Sequence, residues 1–195
     1  MTYYDEIRNI GRLQNGIITA ASAAEKGIPS WYLSKMVRNG ELQRVARGIY
    51  REGDGDYDEY YFFQLQNKRC IYSFASALYL LEMTDRVPYR SEVTVYKGYN
   101  SSHISEDVLI HHVNKEIYEL GITECQTVFG NRVRVYDRER TVCDLIAHRS
   151  KIDTEMFSKA IRAYVQNAEK DYMSLRRYAG KMHIAEKVDQ ILEVV

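Results

Sequence analysis

The chain has 195 residues, 45% hydrophobic and 28% charged, with acids and bases balanced at 27 each. This is the make-up of a globular protein with room for one large domain or two small ones, and it excludes disordered and fibrous classes. No apolar run approaches the ~18–20 residues that cross a bilayer. The N-terminus lacks the basic-then-apolar shape of a signal peptide. Cys70, Cys125 and Cys143 are too scattered for a zinc site or a disulfide framework, so a cytoplasmic location is expected. Net charge is zero but unevenly spread: residues 1–51 carry eight cations and four anions, +4, which leaves −4 for the rest. A basic front suggests an anionic partner at one end.

Tyr3, Ile7, Ile10 and Leu13 recur at helical spacing and predict a first helix over Tyr4 to Leu13. In the next stretch, Thr19 is a candidate cap for an Ala-rich helix through Lys26, and Gly27 ends it. Pro29-Ser30 opens a second helix that runs to about Asn39, with Gly40 at the left-handed cap position. Leu42 to Val45 and Ile49 to Arg51 flank Ala46-Arg47-Gly48 and read as a hairpin. Helix, turn, helix and hairpin together make the winged variant of a helix-turn-helix.

At about 100° per residue, Leu33, Met36 and Val37 share one face of the second helix. Trp31, Lys35 and Arg38 lie opposite, with Ser34 beside them. Such a face suits a major groove: cations for phosphate and guanine, hydroxyls for phosphate or base edges, an apolar surface for a thymine methyl. From Lys26 to Arg51 six cations (Lys26, Lys35, Arg38, Arg44, Arg47, Arg51) stand against Glu41 alone. The candidate DNA-binding set is Lys26, Ser30, Trp31, Ser34, Lys35, Arg38, Arg44, Arg47 and Arg51. The competing reading is a small packing domain with a solvated basic face.

Glu52 to Glu59 is acidic and glycine-bearing, and it sets the expected division: residues 1–53 a winged helix-turn-helix, 54–59 an acidic linker, 60–195 an α+β domain. Asp54, Asp56 and Asp58 are spaced like the first ligands of a calcium loop. However, Glu59 stands where that loop needs glycine and Leu65 where it needs its closing glutamate. Beyond the linker, helices are expected at Tyr60–Asn67 and Ser73–Glu82, and strands at Glu92–Tyr96 and Val108–Val113. On the second of these strands His111 and His112 must face opposite ways. A hairpin follows around Gly130-Asn131, then helices capped by Asp137 and Asp153 and two more to the end. The fold class is α+β, with helices massed at the C-terminus.

Chemistry is sparse. There is no P-loop or dinucleotide fingerprint and no recognisable nucleophile motif, so no catalytic residue, cofactor or metal is assigned and an enzyme is not expected. Gly98 to Ser101 looks like the start of a nucleotidyltransferase motif, but no paired acids follow it. Glu92 and Lys97 are an odd number apart, so they cannot leave one face as a nuclease acid and lysine would. Asp137, Arg138, Glu139 and Arg140 sit at a strand-to-helix junction that favours anions. Arg138 and Arg140 there could hold a phosphate or a partner's carboxylate, or the cluster could simply cap and ion-pair the helix. Lys159, Arg162, Lys170, Arg176, Arg177 and Lys181 form either a second basic surface or, with Glu155, Glu169 and Asp171 among them, a solvated face.

GIITAASAAEKGIPSWYLSKMVRNGELQRVARGIY, SFASALYLLEMTDRVP, EVTVYKGYN and above all VRVYDRERTVCDLI together resemble the AbiEi family of antitoxins from type IV toxin–antitoxin and abortive-infection systems. The resemblance covers nearly the whole chain outside the linker. It implies a winged helix-turn-helix that represses its own operon at inverted repeats in the promoter. It also implies a C-terminal domain that counters a co-encoded nucleotidyltransferase-like toxin without requiring a stable complex, as part of phage defence. Onto the matching positions it places the recognition helix at Ser30 to Arg38 and the wing at Arg44 to Arg51. Asp137, Arg138, Glu139 and Arg140 are the candidates for antitoxicity. No heptad seam enforces a dimer, so monomers that cooperate on DNA are expected. Two other readings stay open: a winged helix that brings a nuclease-like body to DNA, and a regulator whose body senses a small ligand.

Overall fold

A computed structural model describes residues 2–53 and 57–193. The chain divides into two compact units, residues 1–66 with 126–131, and residues 67–125 with 132–195.

The first unit contains α1 (Tyr3–Leu13), β1 (Ile17–Thr19), α2 (Ala20–Glu25), α3 (Trp31–Arg38), β2 (Leu42–Ala46), β3 (Ile49–Glu52) and α4 (Glu59–Gln66). Each helix has a local cause. Thr2 and Asp5 form a reciprocal capping box on α1, and Thr19 and Ser22 form one on α2. Gly27 and Gly40 take φ of +69° and +75° just beyond α2 and α3, where a side chain would strain the backbone. The strands form an antiparallel sheet in the order β1-β3-β2. This succession of helices and strands is consistent with a winged helix-turn-helix. In this unit the sequence reading missed the short β1, as it missed a strand at Ile71–Tyr72 and a helix at Lys115–Tyr118 in the second.

Both faces of that sheet are covered. Ile18, Leu42 and Tyr50 pack with Ile7, Ile10, Ala23, Leu33 and Met36 on the inward faces of α1 to α3, and with Ile28 in the turn between α2 and α3. The alternate residues Ile17 and Ile49 pack with Phe62 of α4. Burying each such side chain contributes about 1.5–3 kcal/mol before entropy is counted.

The segment expected to be a linker is structured where it is described. Asp58 is buried: it caps the Tyr61 amide and accepts from the side chains of Thr127 and Asn131, all within this unit. A lone carboxylate among polar residues reads as solvated, but here it has three donors to offset its burial. Asp54 and Asp56, and with them the calcium-loop spacing, lie outside the described residues.

The second unit runs β4 (Ile71–Tyr72), α5 (Phe74–Leu80), β5 (Glu92–Tyr96), β6 (Leu109–Val113), α6 (Lys115–Tyr118), β7 (Ile122–Gln126), β8 (Arg132–Tyr136), α7 (Arg138–Ala147), a 3-10 turn (Arg149–Lys151), α8 (Thr154–Gln166), α9 (Tyr172–Lys181) and α10 (Ala185–Leu192). Its mixed sheet has the order β6-β5-β4-β8-β7, with β4 antiparallel to β5 and parallel to β8, and β5 parallel to β6. Ile71, Tyr118 and Tyr136 make a small core with Tyr96, Val113 and Ile122. α7 is buried along Glu139–Ile146 and packs against α5, α8, α9 and α10. His111 stacks on Phe74 and pairs with Glu92 at 2.9 Å, while His112 is exposed, as strand alternation requires. Among the described residues no helix is long and apolar enough to cross a membrane.

Candidate nucleic-acid interface

The sequence of α3 divides it into two faces. Leu33 and Met36 are fully buried in the core of the first unit and Val37 packs beside them. That anchoring turns Trp31, Ser34, Lys35 and Arg38 outward, all exposed and spaced at i, i+3, i+4 and i+7. Ser30 precedes the helix in helical conformation, and its exposed hydroxyl makes no capping hydrogen bond. Lys26, at the end of α2, is exposed as well. Structure and sequence thus agree on which side chains of the helix-turn-helix face solvent.

Two neighbours shape the charge of this surface. Lys35 lies 5.6 Å from the centre of the Tyr4 ring, and the hydrogen bond that its ammonium donates to the Tyr4 side chain holds it above the usual lysine range. Glu41, the single acid of the stretch, accepts from Arg8 at 3.0 Å and from Asn39 at 3.2 Å. These contacts, the Asn39 bond first, hold its carboxyl below the usual range and direct its charge toward Arg8.

The wing is not one surface. Arg44 pairs with Tyr50 across the ladder and Arg51 pairs with Gln43. Successive positions alternate faces, so the two arginines leave opposite sides. Arg44, on the side of Leu42 and Tyr50, shares the face that carries α3. Arg51 also pairs with Ile17, so it lies on the face that carries α4, where its Nε donates to Gln43 at 2.8 Å. Arg47 is exposed in the turn. Of the three wing cations proposed from sequence, Arg44 lies on the face that carries α3, Arg51 on the face that carries α4, and Arg47 in the turn between the strands.

In the second unit, Asp137, Arg138, Glu139 and Arg140 each bond groups within that unit. Asp137 caps α7 by accepting from the Arg140 amide, and its other oxygen accepts from the Tyr178 hydroxyl. Arg138 donates to the Leu81 carbonyl, and Glu139 accepts from the Asp171 amide. Arg140 is wholly buried. Its Nε bonds Asp144, its Nη1 bonds the carbonyls of Ile117 and Leu120, and its guanidinium lies over the Tyr136 ring. Arg140, offered by the sequence for a phosphate or a partner's carboxylate, thus turns its Nε and Nη1 to groups inside the fold, while its buried Nη2 has no hydrogen-bond partner. No local signal announces those carbonyls, which lie about twenty residues upstream. The aromatic support of Trp31, described below, was missed for the same reason, because its parts come from separate helices.

Residues 5–53 match the family model described as "Transcriptional regulator, AbiEi antitoxin", and over that stretch the resemblance seen in the sequence is borne out. No curated protein matches the chain. Among solved structures, the chain is similar to the crystal structure of the RV2827C protein from Mycobacterium tuberculosis. The match has a TM-score of 0.59 at 11% identity and covers 96% of this chain and 77% of that one. At that identity the likeness is one of fold.

Proposed function

We propose that the protein is an autorepressor and antitoxin of the type IV, abortive-infection kind. It binds inverted repeats in its own promoter and counters a co-encoded nucleotidyltransferase-like toxin without a stable complex. The observation that carries the DNA-binding half is the outward face of α3, whose Trp31, Ser34, Lys35 and Arg38 are set by the burial of Leu33 and Met36. In this reading residues 1–53 recognise DNA. Ser30, Trp31 and Ser34, at the N-terminal end of α3, meet base edges. Lys26, Lys35, Arg38, Arg44 and Arg47 meet phosphates. Two copies occupy one inverted repeat as monomers that cooperate on DNA, and the remainder of the chain supplies antitoxicity.

The test is a mobility shift on the protein's own promoter, wild type beside Lys35→Ala/Arg38→Ala, across salt concentrations. Five phosphate contacts predict a log–log salt slope of about −4 to −5. Each of the two cations contributes about 1–3 kcal/mol. Equal binding by both proteins overturns the assigned surface. The same double variant, expressed with the toxin, is expected to lose repression and keep rescue. Loss of both would show that antitoxicity runs through DNA binding.

A ligand-sensing body is the second reading. It is favoured by a pocket of about 230 Å³ in the second unit, lined by apolar Leu78, Leu109 and Met156 and by both cations and acids, Arg86, Arg90 and Lys159 with Asp85, Glu92 and Glu155. Sites for drug-sized ligands run to about 300–1,000 Å³, which leaves room here only for a small metabolite. Metabolite-dependent release of promoter DNA would establish it.

A further inference from the structure

Trp31 is the only tryptophan of the chain, and half its surface is exposed (52%) at the first position of α3. It is not loose. Its ring stacks on Tyr32 with centroids 3.7 Å apart. Tyr32 is held in turn by the edges of Tyr3 at 5.0 Å and Tyr4 at 5.2 Å, both from α1. Lys35, one turn along α3, lies over the Tyr4 ring. Two helices thus spend three aromatic rings on holding one exposed indole in place.

Exposure of one large side chain is ordinary on a protein surface; the bracing is what needs a reason, because a side chain held in place has given up its rotamer freedom. The gain comes on binding: a side chain ordered in advance loses little entropy when it docks. One indole face is covered by Tyr32, which leaves the other face and the ring edge for the partner. The first turn of a recognition helix is the part that reaches base edges. On the floor of the major groove the thymine 5-methyl is the apolar group, and it distinguishes thymine from cytosine and from uracil.

We infer that Trp31, braced by Tyr32, Tyr3 and Tyr4, is a specificity-determining residue that reads a thymine methyl in each half-site. The inference rests on the DNA-binding reading above and deepens it. It separates two kinds of contact on one helix face: Lys35 and Arg38 supply salt-sensitive affinity, and Trp31 supplies sequence preference that does not depend on salt.

The experiment replaces each promoter thymine in turn by uracil, which removes the methyl alone, and titrates full-length wild type, Trp31→Ala and Trp31→Phe. Burying one methyl-sized group is worth about 0.8 kcal/mol, a roughly fourfold change in Kd. Wild type is expected to weaken about fourfold at one thymine per half-site. Trp31→Ala should bind more weakly, be indifferent to uracil everywhere and keep the wild-type salt slope. Trp31→Phe should restore part of the uracil sensitivity. The intrinsic fluorescence of wild type should fall on DNA addition and become shielded from acrylamide. Because Trp31 lies outside the buried core, both variants should keep the wild-type circular dichroism and Tm. Specific binding that ignores every uracil, or a Trp31→Ala protein as sensitive as wild type, overturns the inference and leaves the DNA-binding reading standing. Absence of specific binding by wild type overturns both.

Discussion

Asn131 donates its side-chain N–H to the buried carboxylate of Asp58 at 2.8 Å, across 73 residues of sequence. Thr127 donates to the same oxygen, and Asn15 reaches the carbonyl oxygen of the Asn131 side chain at 3.1 Å. This polar node completes the first unit with a segment far away in the chain. Removing Asp58 strands buried donors, which costs about 1–3 kcal/mol. Urea denaturation of Asp58→Ala, Asn131→Ala and the double variant should show each single variant destabilised. The double should cost less than their sum, with a coupling of about 0.5–3 kcal/mol. Strict additivity would mean that the two residues do not support each other. The same geometry bears on fragments. A piece ending at residue 53 lacks Phe62 and uncovers Ile17 and Ile49, so it should be less stable than the unit it comes from.

The helix α3 was legible because periodicity, proline and glycine all act locally there: Leu33 and Met36 inward, Gly40 at the turn. The faces of the wing were not. Counting arginines puts Arg44 and Arg51 together, but a register shift between Arg44 and Ala46 and the pairing of Arg51 with Ile17 set them on opposite sides. β1 escaped notice because three residues, Ile17 to Thr19, carry too little alternation to separate a strand from the approach to a helix. Asp58 and Arg140 misled for a shared reason. A charged residue reads as solvated unless its partners are visible, and Thr127, Asn131, Ile117 and Leu120 are remote in sequence.

Gly121 should be irreplaceable. Its φ is +69°, and a Cβ there would stand 2.6 Å from the Arg140 Cβ and within 3.0 Å of both Asp137 oxygens. Left-handed strain and overpacking together predict a loss of roughly 2–5 kcal/mol for Gly121→Ala. Gly98, at φ +92° with nothing within 4 Å of its would-be Cβ, is the control. It carries the strain alone, and Gly98→Ala should cost about 1–2 kcal/mol. Thermal denaturation of the two variants separates the terms. Equal shifts in Tm would show that the space around Gly121 relaxes freely.

Asp137 makes stability depend on pH. Burial pushes its carboxyl above the ordinary value of 3.8, and this outweighs the Arg140 amide and the Tyr178 hydroxyl, which favour the charged form. The folded chain therefore holds this proton more tightly than the unfolded chain does. Its contribution is fully present below pH 3.8 and is lost as pH rises through the folded value. Asp137→Asn keeps an acceptor for the Arg140 amide and removes the titration. Denaturation midpoints followed from about pH 3.5 to 7 should show wild type losing stability relative to the variant as pH rises. A constant difference would mean that the charged form is fully compensated in place.

The Arg140–Asp144 pair decides whether the cluster around α7 acts on a partner or on the fold. The Arg140 side chain has no exposed surface, and its Nε meets Asp144 Oδ1 at 3.2 Å. Removing one member of such a pair leaves a charge without compensation in a medium that solvates it poorly. Asp144→Ala should therefore cost about 3–5 kcal/mol. Replacing both members by apolar side chains of similar volume, Arg140→Met with Asp144→Leu, removes the buried charge and should cost less than the single change. The comparison also bears on function. If the cluster is architectural, the single variant loses toxin rescue through unfolding and the double variant, once shown to be folded, keeps it. A folded double variant that no longer rescues would return Arg140 to the antitoxic surface, reached through a rearrangement that exposes it.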